Sequence, residues 1–122
     1  MRTIGHFIGG REVKGTSGRT ADVFEPMTGE VQAKVDLASK AELRAAVENA
    51  KAAQVEWGAT NPQRRARIMM KFLELAQRDY DKLADLLARE HGKTVPDARG
   101  DIQRGLEVVE FACGIPHLMK GE

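Results

Sequence analysis

The sequence has little cysteine, few aromatic side chains and no long apolar run, and neither sign of charge dominates it. Its single cysteine, Cys113, excludes an internal disulfide and is typical of a protein in a reducing cytoplasm. The apolar runs are too short to span a bilayer, and the opening MRTIGHFIGG lacks the apolar core and cleavage site of a secretory signal. Nineteen basic and eighteen acidic residues give a net charge of +1, which does not support the concentrated basic surface of a nucleic-acid-binding protein. We therefore expect a cytoplasmic protein that binds neither membranes nor nucleic acid.

The composition is globular, and the first 37 residues carry the pattern of short strands joined by turns. At 122 residues, 42% hydrophobic and 30% charged, the chain is long enough for one domain with its own core. Gly9 and Gly10 stand between two strand-like segments, as in a tight hairpin. Residues 26–29 (PMTG) combine a proline with a glycine at the turn's left-handed exit. Apolar and polar side chains alternate over 31–37, which predicts a strand with one buried face.

Helical periodicity replaces this pattern from residue 39 and predicts four helices. The first covers 40–57 and begins with a capping box, in which Ser39 and Glu42 each bind the other's backbone N–H. Asn61-Pro62 begins the second helix, and a break near Asp79 separates it from the third. The third helix ends at the left-handed cap Gly92. Pro96 lies at the start of the fourth, which continues at least to Gly114. Such helices would pack best on a sheet larger than these strands provide, so we expect a missing partner sheet. A helical bundle capped by a β-hairpin is the alternative.

Most residues that could carry chemistry have a plain structural interpretation. The second helix is predicted to bury the stripe Ile68, Phe72, Leu75 and Ala76 and to expose a solvated or ion-paired basic face of Arg64, Arg67 and Lys71. Cys113 lies on the apolar arc of the last helix beside Leu106 and Val109, which favours a packing role over a catalytic one. The three histidines, His6, His91 and His117, are far apart and form no metal-ligand pattern, and neither glycine-rich phosphate-binding motif is present.

Arg104 is the exception, in the stretch GDIQRGLEVVEFACG. At roughly 100° per residue its side chain falls outside the polar arc of the helix, among the directions of Val108, Phe111 and Ile115. It is therefore predicted to point inward, either in a buried bridge to Asp101 or as a bidentate ligand for a carboxylate. Gly105 beside it would let a ligand or another element come close. The residues alone favour the bridge, because most inward charges are structurally paired.

Across its length the chain resembles the N-terminal portion of the aldehyde dehydrogenase superfamily, and its motifs are most similar to the CoA-acylating methylmalonate-semialdehyde dehydrogenases. FIGGREV resembles the family's opening hairpin, FEPMTGEV its N-P-x-T-G-E turn with Glu25 in place of asparagine, and REHGKT its E-x-G-K helix end. WGATNPQRRARIMMKF is similar to the family's tryptophan-to-basic helix junction. GDIQRGLEVVEFACG resembles the subfamily's G-[DE]-x-x-R-G-x-E-x-x-E-F-A segment closely, and this stretch distinguishes the subfamily.

The resemblance implies an α/β parent fold in which 1–122 forms an N-terminal part of the cofactor-binding domain, with strands and turns at 1–38 and helices at 39–122. It implies that Arg104 holds the carboxylate of malonate or methylmalonate semialdehyde, which reverses the preference for the bridge. It also implies a homo-oligomeric parent that uses NAD and coenzyme A. In the family a cysteine thiolate attacks the aldehyde, hydride passes to NAD, and CoA accepts the acyl group from the thioester.

No residue of this chain matches that catalytic machinery, because the family's nucleophile, oxyanion-stabilising asparagine and dinucleotide-binding region lie downstream. We therefore expect a piece without the catalytic domain that is inactive, poorly stable and binds no cofactor or metal by itself. Two alternatives stay open. One is a hydrolytic aldehyde dehydrogenase that releases the free acid, and the other is a stand-alone helical module that binds a partner through its apolar faces.

Overall fold

The computed structural model describes residues 1–121, in which five short strands precede five helices. The strands are β1 (Arg2–Ile4), β2 (His6–Ile8), β3 (Arg11–Val13), β4 (Thr20–Phe24) and β5 (Val31–Asp36). The helices are α1 (Lys40–Ala59), α2 (Pro62–Arg78), α3 (Tyr80–His91), α4 (Val95–Cys113) and α5 (Ile115–Leu118). The predicted order of strands and then helices is confirmed, and the structure adds the four-residue α5 to the four predicted helices. The chain forms two compact units, Met1–Ala59 (unit 1) and Thr60–Glu122 (unit 2).

Unit 1 contains a three-stranded sheet and a separate hairpin. In the sheet β5 is central, with β1 parallel on one side and β4 antiparallel on the other. β2 and β3 form the predicted hairpin, and both turn residues have positive φ, 63° at Gly9 and 78° at Gly10. Only glycine adopts this pair of angles without strain, so the two glycines fix the hairpin's register. The second predicted turn is also present, because Gly29 has a φ of 75° and donates to the Glu25 carbonyl at 2.8 Å.

β5 buries one face, as its alternating pattern predicts. Ala33 is buried and Val31 and Val35 are half-buried, whereas Gln32 and Lys34 are exposed. Asp36 departs from the pattern because its side chain is half-buried and accepts a 2.7 Å hydrogen bond from the Gly15 N–H. A buried carboxylate oxygen needs such a donor, and this one comes from a loop 21 residues away.

α1 begins with the predicted capping box and then runs along the surface of unit 1. The Glu42 N–H donates to Ser39 Oγ at 3.1 Å, and the Ser39 N–H donates to Glu42 Oε2 at 2.8 Å. In the part of the chain that the structure describes, α1 buries none of its residues. Its apolar stripe is open, with Leu43, Val47 and Val55 exposed by 60%, 53% and 76%. The described strands therefore leave this stripe uncovered, as expected from their small number.

Unit 2 is built around α4, which packs against α2 and α3. The core at the contact of α3 and α4 consists of Ala84, Ala88 and Ala98, flanked by the half-buried Leu87 and Ile102. Small side chains let helix backbones approach closely, so alanines rather than large residues occupy the centre. The N-cap Asn61 and the break at Asp79 lie where predicted. α3 ends at Gly92 with a φ of 78°, as predicted.

The predicted buried stripe of α2 is wrong at its three large residues. Ile68, Phe72 and Leu75 are 54%, 53% and 36% exposed, whereas Ala66 is buried and Met69 and Leu73 are half-buried. Which face of a helix becomes buried depends on the elements that pack against it. The described residues of unit 2 cover the face of α2 that carries Ala66. The basic side of the helix is as predicted, because Arg64 and Arg67 are exposed and Lys71 pairs with Glu74 at 2.7 Å.

Candidate substrate-carboxylate site

The segment before α4 is fixed by a cap on each side. The Gly92 N–H donates to the Ala88 carbonyl at 2.9 Å and ends α3, and the Thr94 hydroxyl accepts from the Asp97 N–H at 3.4 Å and begins α4. The single residue between these caps is Lys93, whose side chain is only 21% exposed. A left-handed glycine followed by an N-cap leaves the backbone at Lys93 little freedom, and the side chain is held by its contact with Asp101.

Lys93 and Arg104 meet at the carboxylate of Asp101, one turn before Arg104 on α4. Lys93 Nζ donates to Asp101 Oδ2, and Arg104 Nη1 lies 3.3 Å from Asp101 Oδ1. The hydrogen bond from Lys93 is the main cause that lowers the pKa of Asp101, and the charges of Lys93, Arg104 and His91 lower it further. Asp101 is therefore ionised at neutral pH and is held through both oxygens.

The predicted inward orientation of Arg104 is wrong in this structure. Its side chain is 81% exposed, and the predicted bridge to Asp101 is a surface ion pair rather than a buried one. The apolar neighbours are nevertheless present, because Val108 and Phe111 on the same side of α4 are 69% and 68% exposed. The helical wheel identified the neighbours correctly, but it could not show whether the described chain covers that face. Gly105 also faces open space, since a Cβ placed there would meet no atom within 4 Å apart from its chain neighbours and the nearby backbone of its own helix.

Arg104 thus presents most of its guanidinium to solvent. Among the hydrogen bonds of the described residues, its one side-chain bond is to Asp101. An arginine fork carries five N–H donors in a plane and binds a carboxylate through two parallel bonds. The open N–H groups can therefore donate hydrogen bonds to a carboxylate from outside the chain.

Cys113 ends α4 as a half-buried free thiol. It follows the buried Leu106 and the half-buried Val109 around the helix, which is compatible with the packing role predicted for it. Among residues 1–121, no group of three or more histidine, cysteine, aspartate or glutamate side chains could hold a metal ion.

Unit 1 holds a second polar cluster that the sequence revealed only in part. Besides its capping box, Glu42 accepts hydrogen bonds from the Thr16 N–H and hydroxyl at 2.6 and 3.0 Å, and His6 Nε2 lies 3.9 Å from its Oε1. The N–H donors of Ser39 and Thr16 lower the pKa of Glu42 from 4.5 to about 2. His6, Thr16 and Glu42 border an open cavity of about 490 Å³ that Arg11 and Lys14 also line. Local spacing identified Ser39 and Glu42, but the contact with Thr16 spans 26 residues and has no local signature.

No site for a dinucleotide is built from the described residues. Such a site needs a glycine-rich turn that leads from a strand into a helix N-terminus. Here the Gly9-Gly10 and Gly29 turns join strands, and α1 begins at Ser39 without a preceding glycine turn. Within residues 1–121, no glycine-rich turn of this kind leads from a strand into a helix.

Comparison with known proteins identifies the chain. Residues 13–122 match the model of the aldehyde dehydrogenase family. The chain belongs to this family. This aldehyde dehydrogenase chain is 50% identical over 121 residues to malonate-semialdehyde dehydrogenase 3 of Geobacillus kaustophilus. It superimposes with a TM-score of 0.95 and 62% identity on a candidate methylmalonate-semialdehyde dehydrogenase of Sinorhizobium meliloti 1021 in complex with NAD. A methylmalonate-semialdehyde dehydrogenase of Oceanimonas doudoroffii gives a TM-score of 0.94 at 45% identity.

These matches cover nearly all of this chain and a quarter of each relative. The Geobacillus match covers 99% of this chain and 25% of the relative. Each of the two structural matches covers 100% of this chain and 25% of the matched chain. The aldehyde dehydrogenase-like fold inferred from the sequence motifs is thus confirmed, as is their resemblance to semialdehyde dehydrogenases. No helix within residues 1–121 combines the length and apolarity that crossing a bilayer requires.

Proposed function

We propose that this chain serves as the N-terminal part of an NAD-dependent, CoA-acylating dehydrogenase of malonate or methylmalonate semialdehyde, in which Arg104 binds the substrate carboxylate. The observation that carries the proposal is the open guanidinium of Arg104, placed beside the ionised Asp101 on an otherwise apolar side of α4. The similarity to semialdehyde dehydrogenases supports the substrate class, because their names describe an aldehyde that carries a carboxylate.

The apolar surroundings explain how one arginine can select such a substrate. Val108 and Phe111 expose more than two thirds of their surface on the side of α4 that carries Arg104. When further protein covers this side, water leaves and the attraction between guanidinium and carboxylate becomes stronger. A simple aldehyde brings no charge to the arginine and gains nothing from it. Arg104 therefore acts on substrate selection rather than on the bond-making steps.

The bond-making steps would be carried out by residues outside this chain. In the whole enzyme, NAD would accept the hydride and coenzyme A would accept the acyl group. The enzyme would be a cytoplasmic homo-oligomer. Neither cofactor would be bound by the described residues. Cys113 is proposed as a packing residue, not as the nucleophile. The 122-residue chain alone is accordingly expected to produce no NADH from malonate semialdehyde, NAD and CoA.

The test uses a chimeric enzyme in which this chain replaces the matching segment of Geobacillus kaustophilus malonate-semialdehyde dehydrogenase 3. Arg104→Leu should raise KM for malonate semialdehyde strongly and leave KM for propanal nearly unchanged. A lost hydrogen bond to a charged group costs about 1.5–3 kcal/mol, or roughly ten- to 150-fold in kcat/KM. Steady-state kinetics with both substrates measure this difference.

Arg89→Leu is the matched control, because Arg89 is also an exposed helix arginine paired with an aspartate one turn earlier, Asp85, at 3.1 Å. It should change neither KM. Equal losses for both substrates in Arg104→Leu would assign Arg104 a structural role and refute the proposed one. Analysis of the product separates the acylating reaction from the hydrolytic alternative, since the first yields an acyl-CoA and the second the free acid.

A further inference from the structure

The carboxylate of Asp101 is shared by two cations, and it holds them unequally. Lys93 Nζ donates to Oδ2, whereas Arg104 Nη1 is 3.3 Å from Oδ1. Charge-assisted N–H···O bonds are usually about 2.7–2.9 Å long, so the contact with Arg104 is loose. An aspartate three residues before an arginine can accept both N–H bonds of its fork when neither oxygen is engaged elsewhere. In this structure Lys93 lies on Oδ2, and Arg104 contacts Oδ1 alone.

We propose that Lys93 is a positioning residue that keeps the Arg104 guanidinium available to the substrate by occupying Oδ2 of Asp101. The inference rests on the proposed role of Arg104. Lys93 suits this task because it lies between the Gly92 and Thr94 caps and its side chain is 79% buried. Arg104 has no such restraint, since four fifths of its side chain is exposed. The largely buried Lys93 therefore occupies one oxygen of Asp101, and the exposed Arg104 keeps a single long contact with the other.

The charges of the cluster lead to the same expectation. Lys93 and Arg104 carry two positive charges against the one negative charge of Asp101, so the cluster keeps an excess positive charge for an incoming carboxylate. Without the lysine charge, Asp101 and Arg104 would neutralise each other in a two-point pair. The substrate would then have to displace Asp101 before it could bind. Its apparent affinity would fall in proportion to the fraction of molecules in which Asp101 occupies the Arg104 guanidinium.

Kinetics of the chimeric enzyme test this mechanism. Lys93→Gln should raise KM for malonate semialdehyde by about two- to fivefold, the range of a single exposed ion pair, with kcat and the propanal KM unchanged. Lys93→Arg keeps the charge and the donors and should restore the low KM. The same Lys93→Gln change in an Asp101→Asn background should have no effect, because no carboxylate is left to withdraw Arg104. Lys71→Gln, in the exposed pair with Glu74, is the control and should be silent.

An undiminished effect of Lys93→Gln in the Asp101→Asn background would overturn the inference, because Lys93 would then act directly on the substrate. No effect of Lys93→Gln at all would also overturn it. In both cases a selective loss in Arg104→Leu would leave the proposed function standing, so the two failures are distinguishable.

A second measurement uses the 122-residue chain itself and needs no catalysis. NMR titration of the Asp101 carboxyl group should give a pKa below its usual range, which rises on Lys93→Gln and rises less on Arg104→Gln. An equal or larger rise on Arg104→Gln would mean that the arginine, not the lysine, dominates the carboxylate, and would contradict the unequal sharing on which the inference depends.

Discussion

Glu42 shows how one side chain can join distant parts of unit 1. Its two oxygens accept hydrogen bonds from Ser39, at the start of the same helix, and from Thr16, in the loop after β3. Backbone N–H donors stabilise the ionised carboxyl group, which lowers its pKa to about 2. Because the folded pKa lies below the ordinary value of 4.5, the ionised group stabilises the folded chain above about pH 4.5, and this contribution is lost as the pH falls toward 2.

Glu42→Gln should therefore lower the melting temperature of the 122-residue chain at pH 7 and reduce the loss of stability between pH 4.5 and pH 2. Part of the acid dependence will persist, because the pKa values of Asp79 and Asp101 are lowered as well. Circular dichroism melts at several pH values measure both effects. Glu48→Gln, at an exposed position of the same helix, should alter neither, and an unchanged acid profile in Glu42→Gln would refute this role.

At the scale of elements, the boundaries of the helices could be predicted, whereas the face that α2 buries and the outward direction of Arg104 could not. The capping box at Ser39, the Asn61 cap and the left-handed Gly92 depend on contacts within one turn, which a short stretch of sequence specifies. The exposed Phe72 and the outward Arg104 depend on which surfaces meet across the unit. Sequence periodicity shows that a face is apolar but not what covers it.

The polar contacts of the candidate site follow the same rule. Asp101 was recognised as a partner of Arg104 because the two are three residues apart on one helix. Lys93 was missed because it reaches Asp101 from the loop before α4, eight residues away, where no helical spacing applies. The parallel pairing of β1 with β5 was missed for the same reason, since Arg2 and Ala33 are neighbours only in the folded sheet.

The alanine contact between α3 and α4 makes the packing of unit 2 sensitive to side-chain size. Ala84 is fully buried, so Ala84→Leu should push the helices apart and lower the free energy of unfolding by about 1–3 kcal/mol. Urea denaturation of the chain measures the change. The same substitution at Ala53, an exposed residue of α1, is the control and should have little effect. A stability loss as small as that of the control would show that this contact is not tightly packed.

At the scale of the whole molecule, the chain exposes more surface than a self-contained protein of its mass. Its accessible surface is 9620 Å², whereas a folded monomer of this mass exposes about 6,500 Å² and two independent units of half the mass about 7,800 Å². The excess of roughly 2,000–3,000 Å² is comparable to the area of an obligate interface. Exposed Leu43 and Val55 on α1, and Val108 and Phe111 on α4, contribute apolar area to it. This excess supports a role within a larger dehydrogenase, and it is also the observation that favours the alternative of a partner-binding module.

A crystal structure of the chimeric enzyme with malonate, a non-reactive analogue of malonate semialdehyde, tests the central claim most directly. We expect one malonate carboxylate to accept two hydrogen bonds from Arg104 at about 2.7–2.9 Å, with Lys93 still bound to Asp101. Malonate bound elsewhere, with the Arg104 guanidinium paired only to protein carboxylates, would contradict the assignment of Arg104 as the substrate-carboxylate ligand.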